Sequence, residues 1–217
     1  LIVFSHGIGS SRDGYTYLGR YWASRGIASL HLQHVGSDRT LWQGNPLSLI
    51  SRFQDAASEE EAVARVQDFR FALDRLLQAE YGAHIDSERI VAAGHSYGAN
   101  TTLMVSGAKV VRNGRLLQFR DPRVSAAIVI SAPPFYGEDD FGPILSGISI
   151  PTLHVTTTDD VIRIPGFGSG LDDRLKVFNA IGGSKVLAVY KQGSHNVFTE
   201  KRYFDSVEVA DEVKGAT

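Results

Sequence analysis

Short apolar runs alternate with helical patterns along this chain of 217 residues. The apolar runs are rich in β-branched residues, which is typical of buried strands. Because helical patterns separate most of these runs, the alternation predicts an α/β fold, with a mostly parallel sheet and helices on both faces. The predicted strands cover residues 1–5, 27–32, 89–93, 124–131, 152–156 and 186–190.

The clearest helical pattern occupies residues 58–80, where Ser58 followed by Glu61 matches a capping box. Apolar residues recur there at spacings of three and four, which places them on one face of a helix. They are Ala62, Val66, Phe69, Leu73 and Leu76. Other helices are predicted at residues 15–24, 97–108 and 171–181, and a terminal helix is predicted to start near Val197.

Two connections also have recognisable patterns. Residues 39–57 are predicted to form a long polar connection, and Asn113-Gly114 between apolar residues predicts a small hairpin. The chain contains no linker rich in Pro, Gly or Ser, and its length suits one core. We therefore expect residues 1–217 to form a single domain.

Composition excludes several classes of function. A formal net charge of -2 gives no basic surplus for nucleic acid or an anionic membrane. The absence of cysteine excludes disulfides, thiolate metal sites and a cysteine nucleophile. No apolar run approaches the roughly 18 residues that span a bilayer. The chain opens at Leu1 inside a strand-like run, so we interpret it as an N-terminally truncated piece and assign no compartment. The sequence assigns no oligomeric state either.

The strongest chemical motif lies between a predicted strand and a predicted helix. Residues 94–98 read Gly-His-Ser-Tyr-Gly, a G-x-S-x-G pattern. Glycines two residues on either side of Ser96 allow the sharp turn that lifts a serine hydroxyl above the end of a sheet. The positive end of the following helix would point at the reacting centre. Ser96 is therefore the predicted nucleophile.

A serine hydroxyl needs a neighbouring base to take its proton. His195 follows the last predicted strand in a short polar turn, which makes it the predicted general base. An acid that orients this histidine should follow an intermediate strand. Asp159 and Asp160 follow the strand at residues 152–156, and Asp139 or Asp140 provides a third possibility. The histidines at positions 31, 34, 84 and 154 are interpreted as structural or exposed.

The first predicted strand leads into a glycine-rich turn, Phe-Ser-His-Gly-Ile-Gly at residues 4–9. Such a turn can aim a backbone N–H at a developing oxyanion. We assign the two predicted oxyanion donors to the backbone amides of Ile8 and Tyr97, the latter directly after the predicted nucleophile.

In this order, these motifs resemble the α/β-hydrolase superfamily over nearly the whole chain. F-S-H-G followed by G-H-S-(aromatic)-G is most similar to bacterial esterases related to platelet-activating-factor acetylhydrolases and dienelactone hydrolases. The superfamily often ends a segment P-T-L-x-x-x-G-x-x-D with its acid, which favours Asp160 here, although Thr157 replaces the usual glycine. Dienelactone hydrolases typically use a cysteine nucleophile, whereas this chain has Ser96. The resemblance also implies that the first strands of the fold are missing.

Resemblance and residues together imply acyl transfer by a Ser-His-Asp triad without a metal or organic cofactor. The expected partner is a small-molecule ester, either short-chain or aromatic. Five aromatic residues in predicted loops are candidates to line the substrate pocket: Tyr15, Trp42, Phe135, Tyr136 and Phe167. The alternatives are a serine peptidase on the same triad and a non-catalytic binding protein on a hydrolase scaffold.

Overall fold

The computed structural model describes residues 1–112, 114–200 and 205–217. Its main sheet contains β1 (Ile2–Ser5), β2 (Ser29–His31), β3 (Ile90–His95), β6 (Val124–Ile130), β7 (Thr152–Asp159) and β8 (Lys185–Ser194). These strands lie in the order β2-β1-β3-β6-β7-β8, and every neighbouring pair is parallel. The predicted mostly parallel sheet is therefore confirmed.

The last two strands are longer than the sequence predicts. β7 and β8 remain paired as far as Asp159 and Ser194, with an irregularity in register between Thr157 and Asp159. Thr157 Oγ1 donates a hydrogen bond to the Gly193 carbonyl at 2.6 Å, which ties the ends of the two strands together. The extension carries the residues that follow both strands to the same edge of the sheet.

Helices cover both faces of this sheet. Against one face pack α3 (Glu59–Gln78), α4 (Tyr97–Ser106), α5 (Gly142–Leu145) and α6 (Leu171–Ala180). Against the other pack α1 (Thr16–Ser24) and α7 (Val207–Ala216). The alternation of side chains along a strand supplies both cores, since Val3 packs into the first and Ile2 and Phe4 pack into the second.

The predicted hairpin is present as a separate two-stranded sheet. β4 (Lys109–Arg112) pairs antiparallel with β5 (Arg115–Gln118). Of the predicted turn, Asn113 lies outside the described residues.

Two predicted features at the ends of elements are wrong. The terminal helix starts at Val207 rather than near Val197, because the Ser206 side chain caps it by accepting from the Val209 amide. Val197 instead lies fully buried in a turn after β8. The Ser58–Glu61 capping box is only half formed, since Ser58 Oγ accepts from the Glu61 amide but the Glu61 carboxylate accepts from Ser37 Oγ at 2.6 Å.

The connection at residues 39–57 is not simply polar. It contains α2 (Leu49–Ala56), preceded by a 3₁₀ turn that begins with Pro46 and is capped by Asn45. Phe53 and Ala56 of α2 pack with Leu41 in a third, smaller core. The apolar residues are too few and too widely spaced to stand out in the sequence, and they are buried by contact with distant residues such as Ile8, Ile164 and Phe167.

Leu73 on α3 tests the packing of the first core. It is fully buried, whereas Phe71 on the same helix is 66% exposed. We expect Leu73→Ala to lower the free energy of unfolding by about 2–5 kcal/mol because it leaves a cavity, and Phe71→Ala to lower it by about 0.5 kcal/mol or less. Urea unfolding followed by circular dichroism measures both, and equal losses for the two variants would contradict this packing.

Candidate active site

Ser96 lies in a strained turn between β3 and α4. Its backbone has φ 55° and ψ −123°, a region that residues with a Cβ rarely occupy. The turn is also crowded, because a Cβ on Gly98 would overlap the Ser5 carbonyl oxygen and one on Gly94 would overlap the Gly98 carbonyl oxygen. The two glycines of the motif therefore allow β1, β3 and α4 to meet directly beneath the serine.

The structure brings three of the predicted site residues into one hydrogen-bonded chain. His195 directly follows β8, and its Nε2 lies 2.8 Å from Ser96 Oγ. Its Nδ1 lies 2.6 Å from Asp160 Oδ1. Since a carboxylate only accepts, Nδ1 carries the proton and Nε2 is free to accept one from the serine. This arrangement can withdraw the hydroxyl proton of Ser96.

Of the two candidate acids at the end of β7, the structure places Asp160 against His195. Asp160 is fully buried, and Asp159 is exposed at the end of the strand. Asp139 and Asp140 are also exposed, and Asp140 accepts a hydrogen bond from the Gly142 amide at 2.8 Å.

The Asp160 carboxylate has further partners that sequence reasoning missed. Thr156 Oγ1 donates to Oδ2 at 2.7 Å, and the buried Arg174 of α6 contacts both carboxylate oxygens. Burial raises the pKa of Asp160, but the charges and hydrogen bonds of His195 and Arg174 outweigh it and hold that pKa well below its usual value. Nothing in the sequence distinguishes Arg174 from the surface arginines, because its partner lies 14 residues earlier.

His95 connects the predicted base, His195, to the glycine-rich turn. Its Nε2 lies 2.9 Å from the His195 carbonyl, and its Nδ1 lies 2.8 Å from the Tyr15 hydroxyl. Because a carbonyl only accepts, Nε2 carries the proton and Nδ1 accepts from Tyr15, whose oxygen in turn accepts from the Gly7 amide at 3.2 Å. Burial lowers the pKa of His95 to about 3, so it stays neutral near physiological pH.

The predicted oxyanion donors lie on the two segments that flank Ser96. Gly7 packs against the serine, since a Cβ there would lie 3.2 Å from Ser96 Cβ. Ile8 follows Gly7, Tyr97 follows Ser96, and both line the same cavity as Ser96. Within the described ranges, neither amide donates to a backbone carbonyl of a turn or loop. Both amides therefore remain candidate oxyanion donors.

A buried cation contacts both the glycine-rich turn and the segment that follows Ser96. Arg65 of α3 is fully buried, donates to the His6 carbonyl and to Ser37 Oγ, and lies 4.7 Å from the centre of the Tyr97 ring. Burial lowers its pKa to about 10, which leaves it charged near neutral pH. Arg65 therefore fixes both segments that carry the predicted oxyanion amides.

The remaining histidines lie in other environments. His34 is buried, with Nδ1 2.9 Å from Asp68 and Nε2 3.1 Å from Ser5 Oγ. His31 stacks on Phe4, His154 packs edge-on against Phe178, and His84 is exposed. None of these side chains contacts Ser96 or Asp160 in the described part of the chain.

Ser96 and His195 open into a cavity of about 820 Å³. All five aromatic residues considered as pocket candidates line it, and Tyr15 and Phe135 are at the same time part of the buried core. One wall comes from the β4–β5 hairpin through Val110 and Leu117. Further aliphatic side chains also line the cavity: Ile8, Val63, Met104, Val161, Ile162 and Ile164.

Two kinds of feature are absent from the described residues. No group of three or more acidic or histidine side chains is arranged to hold a metal ion in residues 1–112, 114–200 and 205–217. Over the same ranges, no helix has both the length and the hydropathy that crossing a membrane requires.

Comparison with known families agrees with this geometry. The model of the alpha/beta hydrolase family matches residues 2–205, nearly the whole chain. The chain therefore belongs to the alpha/beta hydrolase family, which confirms the predicted fold class and suggests hydrolase activity. No curated protein matches the chain significantly.

Replacing Tyr15 tests the hydrogen-bonded bridge between His95 and the glycine-rich turn. Tyr15→Phe removes the hydroxyl and leaves the Gly7 amide and His95 Nδ1 without this buried partner. We expect the free energy of unfolding to fall by about 1–3 kcal/mol. Tyr21→Phe is the matched control, because Tyr21 is about half exposed. Urea unfolding compares the two, and a Tyr15→Phe variant as stable as the control would contradict the proposed bridge.

Proposed function

We propose that this protein is a carboxylic ester hydrolase that forms an acyl-enzyme on Ser96. The observation that carries the proposal is the continuous chain from Ser96 Oγ through His195 to Asp160, with distances of 2.8 and 2.6 Å, at the wall of an apolar cavity. The similarity of F-S-H-G and G-H-S-Y-G to bacterial esterases related to platelet-activating-factor acetylhydrolases adds support.

In the proposed mechanism, Ser96 Oγ attacks the ester carbonyl while His195 Nε2 takes the hydroxyl proton. Asp160 holds the imidazole by its Nδ1–H and stabilises the positive charge that forms. The amides of Ile8 and Tyr97 bind the tetrahedral oxyanion. His195 then protonates the departing alcohol, and a water molecule repeats the sequence to release the acid and restore Ser96.

The cavity bears on the substrate class. Its volume of about 820 Å³ lies near the upper end of ligand pockets, which run from about 300 to 1,000 Å³. An acetyl group would leave most of this apolar wall in contact with water. Of short-chain and aromatic esters, we therefore favour those with an aromatic acyl group or a chain of about four to eight carbons.

A serine peptidase on the same residues is the competing function. Amides are harder to cleave than esters, so matched substrates with one acyl group, a p-nitroanilide and a p-nitrophenyl ester, separate the two classes. Ester turnover without anilide turnover supports the esterase, whereas comparable kcat/KM values favour the peptidase.

Ser96→Ala tests the nucleophile. We expect kcat for p-nitrophenyl butyrate to fall on the order of 10⁴-fold or more, because no other group can form the acyl-enzyme. Ser106→Ala is the control, since Ser106 is a buried serine of α4 whose hydroxyl has no partner among the described residues. We expect that control to keep nearly the wild-type kcat. A Ser96→Ala variant with the same kcat as the control would contradict the proposal.

The acyl-length profile tests the pocket. Each methylene buried contributes about 0.8 kcal/mol, so kcat/KM should rise about fourfold per methylene from acetate until the chain fills the cavity. Leu117→Trp should cut this rise short, because Leu117 lines the cavity. The neighbouring Leu116 is 55% exposed, so Leu116→Trp should leave the profile unchanged. A flat wild-type profile, or identical profiles for both variants, would contradict this use of the cavity.

A further inference from the structure

A buried cation contacts the acid of the proposed triad. Arg174 is 3% exposed, and its Nε and Nη2 each lie 3.2 Å from an oxygen of Asp160. Its third nitrogen, Nη1, donates to Ser169 Oγ at 2.9 Å. The whole guanidinium group is thus held in one orientation, although the acyl transfer described above has no step that uses it.

The Asp160 carboxylate is shared by His195 and Arg174. Asp160 Oδ1 lies 2.6 Å from His195 Nδ1 and 3.2 Å from Arg174 Nη2. A carboxylate alone would favour the protonated imidazole strongly in so buried a position. A guanidinium fixed to the same carboxylate opposes a second positive charge beside it, and so favours the neutral imidazole.

We propose that Arg174 is a positioning residue that acts through Asp160 and keeps His195 unprotonated, and so able to act as a base, to lower pH than a triad without this cation would allow. The proposal rests on the proposed function of Ser96, His195 and Asp160. The proposal predicts the direction of a pH shift. Removing the positive charge makes His195 easier to protonate, so the acid limb of the activity profile moves to higher pH.

Other charged and titratable groups lie on the elements around His195 and are unchanged in the Arg174 variants. From β3, the His95 ring lies 4.9 Å from the His195 ring, centre to centre. From the segment before α7, the Asp205 carboxylate accepts from the amide and hydroxyl of Ser194, each at 2.6 Å. From the loop after β7, Arg163 is exposed and lines the cavity. A shift seen on replacing Arg174 alone is therefore assigned to its own charge.

The test compares kcat/KM against pH for the wild type and Arg174→Gln, on one p-nitrophenyl ester. We expect the acid limb of Arg174→Gln to lie about one pH unit higher, because the variant lacks the like charge that disfavours the protonated imidazole, and charges this close shift a titration by about 1–3 units. At a pH below both limbs the variant should be about tenfold slower, and on the alkaline plateau the two rates should approach each other.

Two variants serve as controls. Lys176→Gln removes an exposed positive charge from the same helix, and its acid limb should coincide with that of the wild type. Arg174→Lys keeps the positive charge but lacks the planar guanidinium group. Its acid limb should therefore stay much closer to that of the wild type than the acid limb of Arg174→Gln does. If Arg174→Gln is recovered unfolded, Arg174→Met carries the same prediction, because its side chain is apolar and needs no buried partner.

A second measurement separates this proposal from the proposed function. Titration of the His195 imidazole by NMR, assigned by the signal that His195→Gln lacks, reports protonation without any substrate. A higher midpoint in the Arg174 variant supports the proposal even if no ester is turned over. A folded Arg174→Gln or Arg174→Met variant with an unchanged midpoint and acid limb overturns it, whereas retained activity in Ser96→Ala overturns only the proposed function.

Discussion

The close contact between the turn at Ser96 and the end of β1 is the constraint on which the rest of the site depends. The Gly98 Cα lies so near the Ser5 carbonyl that no larger residue fits. This contact holds Ser96 in its unfavourable backbone conformation and brings the glycine-rich turn after β1 alongside it. The proposed nucleophile and the predicted oxyanion donors are thus placed by backbone packing, which a close-packed interior makes difficult to distort.

Two buried arginines contact different parts of the proposed site. Arg65 supports the oxyanion side through the His6 carbonyl and the Tyr97 ring. Arg174 contacts the acid side through Asp160. Because buried charges are stable only with partners, each arginine ties its own helix to the segment that it contacts. Between them, neutral His95 joins the His195 carbonyl to Tyr15 and so to Gly7.

The main sheet and the placement of the candidate site were predictable from sequence because they depend on local patterns. β-Branched runs identified every strand of the parallel sheet, and parallel strands bring residues such as Ser96 and His195 to one edge. β8 is longer than predicted, but it still ends directly before His195, so this candidate keeps its predicted place after the last strand. Helix α2 was missed because its short apolar face is buried by residues distant in sequence.

The contacts that tune the site were not predictable for the same reason. Arg65, Arg174 and Tyr15 have ordinary sequence surroundings, and only the fold buries their polar ends against Thr101, Asp160 and His95. The choice of Asp160 over Asp159 depends on the irregularity at the end of β7, which turns one side chain inward and leaves its neighbour exposed. That irregularity follows from pairing with β8, a partner that sequence patterns do not specify.

Intact-protein mass spectrometry after treatment with a fluorophosphonate tests the central claim most directly. The account predicts one adduct per chain, carried by the tryptic peptide of residues 90–109, with fragmentation locating it on Ser96 and His195→Gln reacting far more slowly. A folded protein that takes up no reagent, or takes it up on another residue at the same rate with and without His195, would contradict it.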